Sequence, residues 1–369
     1  MKTLAAFAAL SLVLVTGCMD DHITGPQISA GCPYGDLAYC DDWPDNGVWD
    51  PPDTTTTPTN VPFPVLTGAL WADSLWVVVG QKIITSRDGS TFEIMAWNDC
   101  NLTANWLMNP IRKSGRFIAY RQPDRIFVSD SLPIWNEERM EFAIDSLLLF
   151  QIAASEAGFV AIGYAPSTGM IMLQSSDGIS WESCPRIPDV RPQNVIWDGQ
   201  RFVASADSIV ATVDSTGIAR YEAKQGIILT SPDGVIWESH QTDRVHGIFL
   251  LTKGKDLYAG VSHNDSLLQY EAVTSRDLIS WTPVTGVGRN MTALATDGTS
   301  VVVALGSWEG ILHISGRGTE TRGNIPYMHY VRSIVYGNGQ FVALGDGVIA
   351  TSPNGLSWTV RWKSEISSN

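Results

Sequence analysis

The chain has 369 residues, with 38 acidic against 24 basic side chains, a formal charge of −14 and an isoelectric point near 4.8. That balance excludes the basic stripe with which proteins grip phosphate backbones, so nucleic acid is not an expected partner. The excess is unevenly placed: Met19–Asn60 holds eight Asp and no Lys or Arg, leaving residues 61–369 only about seven charges negative.

In chain order, Lys2 precedes an apolar segment from Leu4 to Val15, which ends in Val15-Thr16-Gly17-Cys18. A basic start, a short apolar core and small residues before a cut make a secretory signal over residues 1–17. Val-Thr-Gly-Cys resembles the bacterial lipobox. The resemblance implies that Cys18 becomes the lipid-modified first residue, a membrane anchor rather than a membrane span. No later stretch approaches the length of a transmembrane helix. Met19 rather than Asp follows the Cys, which by the same resemblance favours the outer membrane in a host that has two. The expected location is the extracytoplasmic side of the cell envelope.

Residues 18–62 read as a tether, since Pro51-Pro52, the Thr54–Thr57 tract and the Asp excess cannot bury a core. Asp41, Asp42, Asp45, Asp50 and Asp53 lack the spacing and the Gly of a calcium loop. Cys32 and Cys40 are expected to pair, because export places them where disulfides persist. Cys100 and Cys184 then fall near the ends of non-adjacent repeat units, where a bond is geometrically awkward; four cysteines allow three pairings, and both a bond between these two and two free thiols stay open.

From residue 63 to 363 the sequence repeats. Seven times it returns to a Ser, an Asp or Asn two residues later, usually a Gly, and an aromatic six residues after the Ser. The copies are SRDGSTF at Ser86, SDSLPIW at Ser129, SSDGISW at Ser175, SPDGVIW at Ser231, SRDLISW at Ser275, SGRGTET at Ser315 and SPNGLSW at Ser352. Successive serines lie 43, 46, 56, 44, 40 and 37 residues apart, the length of one four-stranded blade in a radial propeller. Each unit also carries an apolar run ending in small residues, such as GFVAIG at Gly158 and QFVALG at Gln340, which reads as a buried strand. The expected fold is therefore all-β: a seven-bladed β-propeller of four-stranded antiparallel blades, with a short tail at 364–369. Gly permits the positive φ of the tight turn, and Ser and Asp can bond its amides. The aromatic opens the fourth strand and packs back across the hairpin. Ser86 with Asp88, Ser175 with Asp177 and Trp181, Ser231 with Asp233 and Trp237, Ser275 with Asp277 and Trp281, and Ser352 with Asn354 and Trp358 are accordingly structural.

The repeat resembles the Asp-box, or BNR, motif of sialidase-like propellers. The phrase from Ile334 to Thr359 resembles blades of the seven-bladed photosystem II assembly factor and its bacterial relatives. The likeness covers about Pro64 to Trp362; the Ser129 copy lacks the acidic residue and Gly at their usual places, and the Ser315 copy lacks the aromatic. It implies a fold, since such propellers serve hydrolases, assembly factors and adhesion modules alike.

No HExxH, CxxC, nucleophile elbow or phosphate-binding Gly loop is present, and the six histidines have no ligand spacing, so neither metal nor cofactor is expected. Arg186-Ile187-Pro188 resembles a sialidase signature, but it follows the third repeat where that signature precedes the first. The reading is a non-catalytic binding, scaffolding or assembly module, expected to be monomeric, with a sialidase-like hydrolase as the alternative. Binding is expected where the units differ, opposite the repeated turns. There lie Tyr164 to Gly169, an insertion from Ser205 to Gly226 with Arg220, Tyr221, Glu222 and Lys224, an extension from His263 to Glu271 with Tyr270, and Trp308 beside Glu309. Aromatics with mixed charge suit a protein or glycan partner.

Overall fold

The structure, a computed structural model, describes residues 64–95, 107–121, 124–132, 134–144, 146–185, 187, 189–213, 219–267, 269–286, 291–306, 310–345 and 347–364. These residues form seven β-sheets and no helix. Each sheet contains a blade of four consecutive antiparallel strands in the order 1-2-3-4: blade one over 66–94, two over 108–139, three over 148–183, four over 190–241, five over 249–286, six over 291–323 and seven over 331–363. The first strands of successive blades adjoin one another, so they line the axis of the ring.

The second strands carry long buried apolar runs, and Phe159–Ala165 and Val301–Leu305 are buried along their whole length. A blade is covered on both faces by its neighbours, which is why these runs do not alternate with polar residues. The core is correspondingly not one mass but a series of seams. Phe341 and Val348 of blade seven meet Val302 and Ile311 of blade six. Phe202 and Leu229 of blade four meet Val160 and Ile162 of blade three. Val77, Val79 and Ile83 of blade one meet Phe117 and Phe127 of blade two.

Five of the repeated turns share one hydrogen-bond pattern. At Ser175 the hydroxyl accepts from Gly178 N–H at 2.8 Å and donates to Asp177 Oδ1 at 2.9 Å. The same carboxylate oxygen accepts from Ile179 and Ser180 N–H at 2.8 and 2.9 Å, and Trp181 Nε1 donates to Gly178 O at 2.9 Å. Ser231, Asp233 and Trp237 repeat these contacts, as do Ser275, Asp277 and Trp281. Ser86 and Asp88 repeat them with Phe92 buried in the aromatic place. In the last copy Asn354 Oδ1 accepts from Leu356 and Ser357 N–H, both at 3.0 Å, and Trp358 Nε1 donates to Gly355 O.

The glycine of this turn has a second role that spacing does not display. A Cβ at Gly234 would lie 2.6 Å from Val160 of blade three, and one at Gly355 would lie 2.4 Å from Val302 of blade six. Each turn thus rests on the second strand of the preceding blade. Blade five carries Leu278 at this place with φ of 69°; its side chain is buried in the seam with Val203 and Ile228 of blade four.

Two copies depart from the pattern. Ser129 lies within the strand Arg125–Ser131, and Ser131 pairs with Ile134 across a two-residue hairpin, so no such turn forms there. Without its acidic partner, the buried Ser129 hydroxyl has no hydrogen-bond partner. At Ser315 the turn is closed instead by Gly318 N–H to Ser315 O and Ser315 N–H to Thr319 O.

Among the described residues, blades seven and one meet through side-chain packing and a backbone hydrogen bond. Leu66, Trp76 and Ile84 pack on Val342, Leu344 and Ile349, and Gly347 N–H donates to Pro64 O at 3.0 Å. Blade three carries an unexpected addition: Glu141–Phe142 pairs in parallel with its outer strand, Ser180–Ser183.

Candidate functional site

In this up-and-down order the third-to-fourth-strand turns lie on one face, and the second-to-third-strand and blade-to-blade connections lie on the other. The units diverge most on that second face, at blades four and five. The second and third strands of blade four, Phe202–Val213 and Ala219–Ser231, are 12 and 13 residues long and pair in register from Phe202↔Ser231 to Val213↔Ala219, with a bulge at Ser208/Ile209. The insertion is therefore, over residues 205–213 and 219–226, a two-stranded arm. Extending both strands together keeps their peptide groups paired as they leave the blade. The first strand pairs only as far as Ser208, and the fourth, Glu238–Gln241, only with Ile227–Thr230. Beyond these points the arm's outer ladder edges pair with no strand among the described residues.

The base of the arm is a buried polar node. Asp207, fully buried, accepts from Arg191 Nη2, from Gln193 Nε2 at 2.5 Å and from the Gly247 amide at 2.7 Å. Gln225 Nε2 donates to Thr242 O and Arg244 O. Arg244 Nη2 reaches Glu271 Oε2 at 2.6 Å, and Asn264 Nδ2 donates to Glu271 Oε1 at 2.5 Å. Arg191 and Arg244 are thus matched to carboxylates of the same face.

Outside the node the rim turns to imidazole. His246 Nε2 lies 2.7 Å and His263 Nδ1 2.9 Å from the same oxygen of Asp265. The two rings meet edge to face at 5.2 Å, and Tyr270 stands edge to face with His263 at 5.3 Å. Burial works against ionisation of Asp265, but the hydrogen bonds from His246 and then His263 outweigh it and hold the carboxyl below its usual range.

Of the expected binding residues, His263 and Tyr270 are cross-strand partners in blade five and come together. Lys224 is exposed on the arm. Arg220, Tyr221 and Glu222 lie on the arm's third strand, opposite Thr212, Ala211 and Val210. Tyr164 is only 2% exposed. It pairs with Met170 in a hairpin that turns tightly at Thr168, so the blade encloses it and it offers no surface to a partner. Trp308 and Glu309, like Cys18, Cys32, Cys40, Cys100 and Arg186, lie outside the described residues. Cys184 is a buried free thiol, its pKa pushed up to about 12 chiefly by burial. His246, Asp265 and the node around Asp207 were missed. They are far apart in sequence and only blade geometry joins them; the one local cue, His263 two residues before Asp265, is too short to specify a site.

No protein-family model matches the chain, and no curated protein matches it. Solved structures do. YCF48 from Cyanidioschyzon merolae is 15% identical, with 79% of this chain and 96% of that chain covered and a TM-score of 0.51. A streptogramin B lyase gives a TM-score of 0.56 at 10% identity over 82% and 95% of the two chains. The β-propeller domain of the trilobed protease from Pyrococcus furiosus, described as having an open velcro topology, gives 0.51 at 10% identity over 83% and 100%. The likeness is one of fold.

Proposed function

We propose that this chain is a non-catalytic propeller of the Asp-box type that presents the blade-four arm and the adjoining rim to a protein partner, while lipid on Cys18 and an acidic tether hold it at the outer side of a cell-envelope membrane. The arm carries the reading. It is the largest departure from the repeat, it rises from a base locked by Asp207 and Gln225, and its strand edges suit backbone pairing with another chain. The internal pairing of Arg191 with Asp207 and of Arg244 with Glu271 supports recognition over a carboxylate-clamping hydrolase.

The partner is tested by placing a photo-crosslinker at Val210, exposed on the arm's second strand and outside the deleted segment, in the native host. A discrete adduct that disappears when Arg220–Lys224 is deleted is the expected result; an adduct pattern unchanged by that deletion overturns the reading. The anchor is tested separately with Cys18→Ser. Wild type should take up a labelled fatty acid and sediment with membranes, and the variant should do neither. A variant that still sediments fully would refute lipid anchoring at this residue.

A further inference from the structure

The trio on the blade-five rim is built as a ligand set. Three donor atoms, His246 Nε2, His263 Nδ1 and Asp265 Oδ1, lie within 4.8 Å of one another, both nitrogens facing one carboxylate oxygen. They come from three places: His246 from the connection between blades four and five, His263 from the end of the second strand Tyr258–Asn264, and Asp265 from the turn that follows.

The backbone behind them is held. Gly247, next to His246, donates its amide to buried Asp207, and a Cβ there would lie 2.6 Å from Gln193 Oε1 and 2.8 Å from Ala206 O. A Cβ at Gly226 would lie 2.4 Å from His246 O, so the chain bearing this histidine is threaded closely against the arm's third strand. Behind His263, the adjacent Asn264 is fixed through Glu271 to Arg244, and Tyr270 supports the ring. Asp265 is the most exposed member, with its side chain 56% accessible. Ligands held by a rigid frame lose little freedom on binding, which is what a preorganised site requires.

We propose that His246, His263 and Asp265 form a binding site for a divalent first-row transition ion of the zinc class. Two imidazole nitrogens and one carboxylate oxygen favour such an ion over magnesium or calcium, which take oxygen ligands. Bonds of about 2.0–2.2 Å require the donors to open by roughly half an ångström from hydrogen-bonding separation, a movement the exposed Asp265 turn can supply. Three protein ligands leave a fourth position directed to solvent. The site stands apart from the protein-binding reading of the arm and does not depend on it.

The test uses the full chain, stripped with chelator and titrated with Zn²⁺ alone, with Co²⁺ absorption as a second probe. Expected is one Zn²⁺ per chain, with affinity weakened at least about tenfold in His246→Ala, His263→Ala and Asp265→Asn and unchanged in His240→Ala. In case a variant misfolds, imidazole NMR of the unmutated chain gives an independent reading: of the six histidines, only His246 and His263 should shift at the first equivalent. Absence of Zn²⁺ binding, equal affinity in all variants that keep their circular dichroism, or shifts confined to other histidines would each overturn the proposal.

Discussion

At the scale of the residue, the repeated turn shows how one carboxylate organises a hairpin. Asp88 and Asp277 each accept two backbone amides, from Thr91 and Ser90 and from Ser280 and Ile279, and these bonds lower both pKa values to about 2. Asp233 is lowered mainly by Val235 and Ile236 N–H; at Asp177 burial opposes the shift but the Ser180 and Ile179 amides prevail. A carboxyl depressed in the folded state lends stability that is full above its unfolded pKa of about 3.9 and is lost as pH falls toward 2. Asn354 supplies the control, accepting the same amides without a charge. Replacing Asp88, Asp177, Asp233 and Asp277 together with Asn should therefore keep the fold and flatten the fall of the urea midpoint between pH 4 and 2; a slope equal to wild type would contradict this account. Leu278 tests a different term. The left-handed backbone costs a non-glycine residue about 1–2 kcal/mol, whereas emptying a buried leucine site costs about 2–5 kcal/mol. Leu278→Gly should accordingly bring a net loss of up to about 4 kcal/mol in urea unfolding despite restoring the glycine of the other copies; a gain in stability would show that the backbone term outweighs the lost packing.

Among the elements, the arm differs from every other hairpin because its outer half is held only by its own ladder. Replacing residues 209–224 with Asn-Gly would leave Ser208↔Gln225 to close a short hairpin and keep Asp207 and Gln225 in place. Thermal unfolding should then stay within about 1 kcal/mol of wild type, since no buried group of the seams is removed. The connection at its base is less forgiving. Arg244→Ala would leave Glu271 buried, 7% accessible, without its cation, and should cost about 3–5 kcal/mol. Equal stability of these two variants would show that the node does not support the face.

For the whole molecule, the decisive feature among the described residues is the side-chain packing that joins blade seven to blade one. Every blade is built from consecutive chain, so the seam of Leu66, Trp76 and Ile84 with Val342, Leu344 and Ile349 must hold the two ends of the array together. In stacked repeats stability is close to a sum of units and neighbouring interfaces, so a defect at this seam opens the ring where the chain is not continuous. Leu66→Ala and Leu173→Ala each empty a fully buried site and should each cost about 2–5 kcal/mol. They should differ in hydrogen exchange: Leu66→Ala accelerates it first in blades one and seven, and Leu173→Ala around blades two and three. Identical exchange patterns would mean that closure spreads its effect around the ring.

Blade number, the buried second strands and the Ser-x-Asp turns were legible in the chain because they depend on local chemistry repeated at a fixed period. A turn's φ and its capping bonds involve residues at most three positions apart, and a strand covered on both faces shows itself as an apolar run. Other features rest on contacts between blades. The glycine that also fits against the preceding blade, the insertion that is a paired arm, the burial of Tyr164 and the convergence of His246 with His263 and Asp265 follow from which connections share a face. Sequence alone determined that seven similar hairpin units exist and where they cease to be alike. Tertiary structure decided what those differences assemble into, because residues 19 positions apart become hydrogen-bonding neighbours only when blades four and five close on each other.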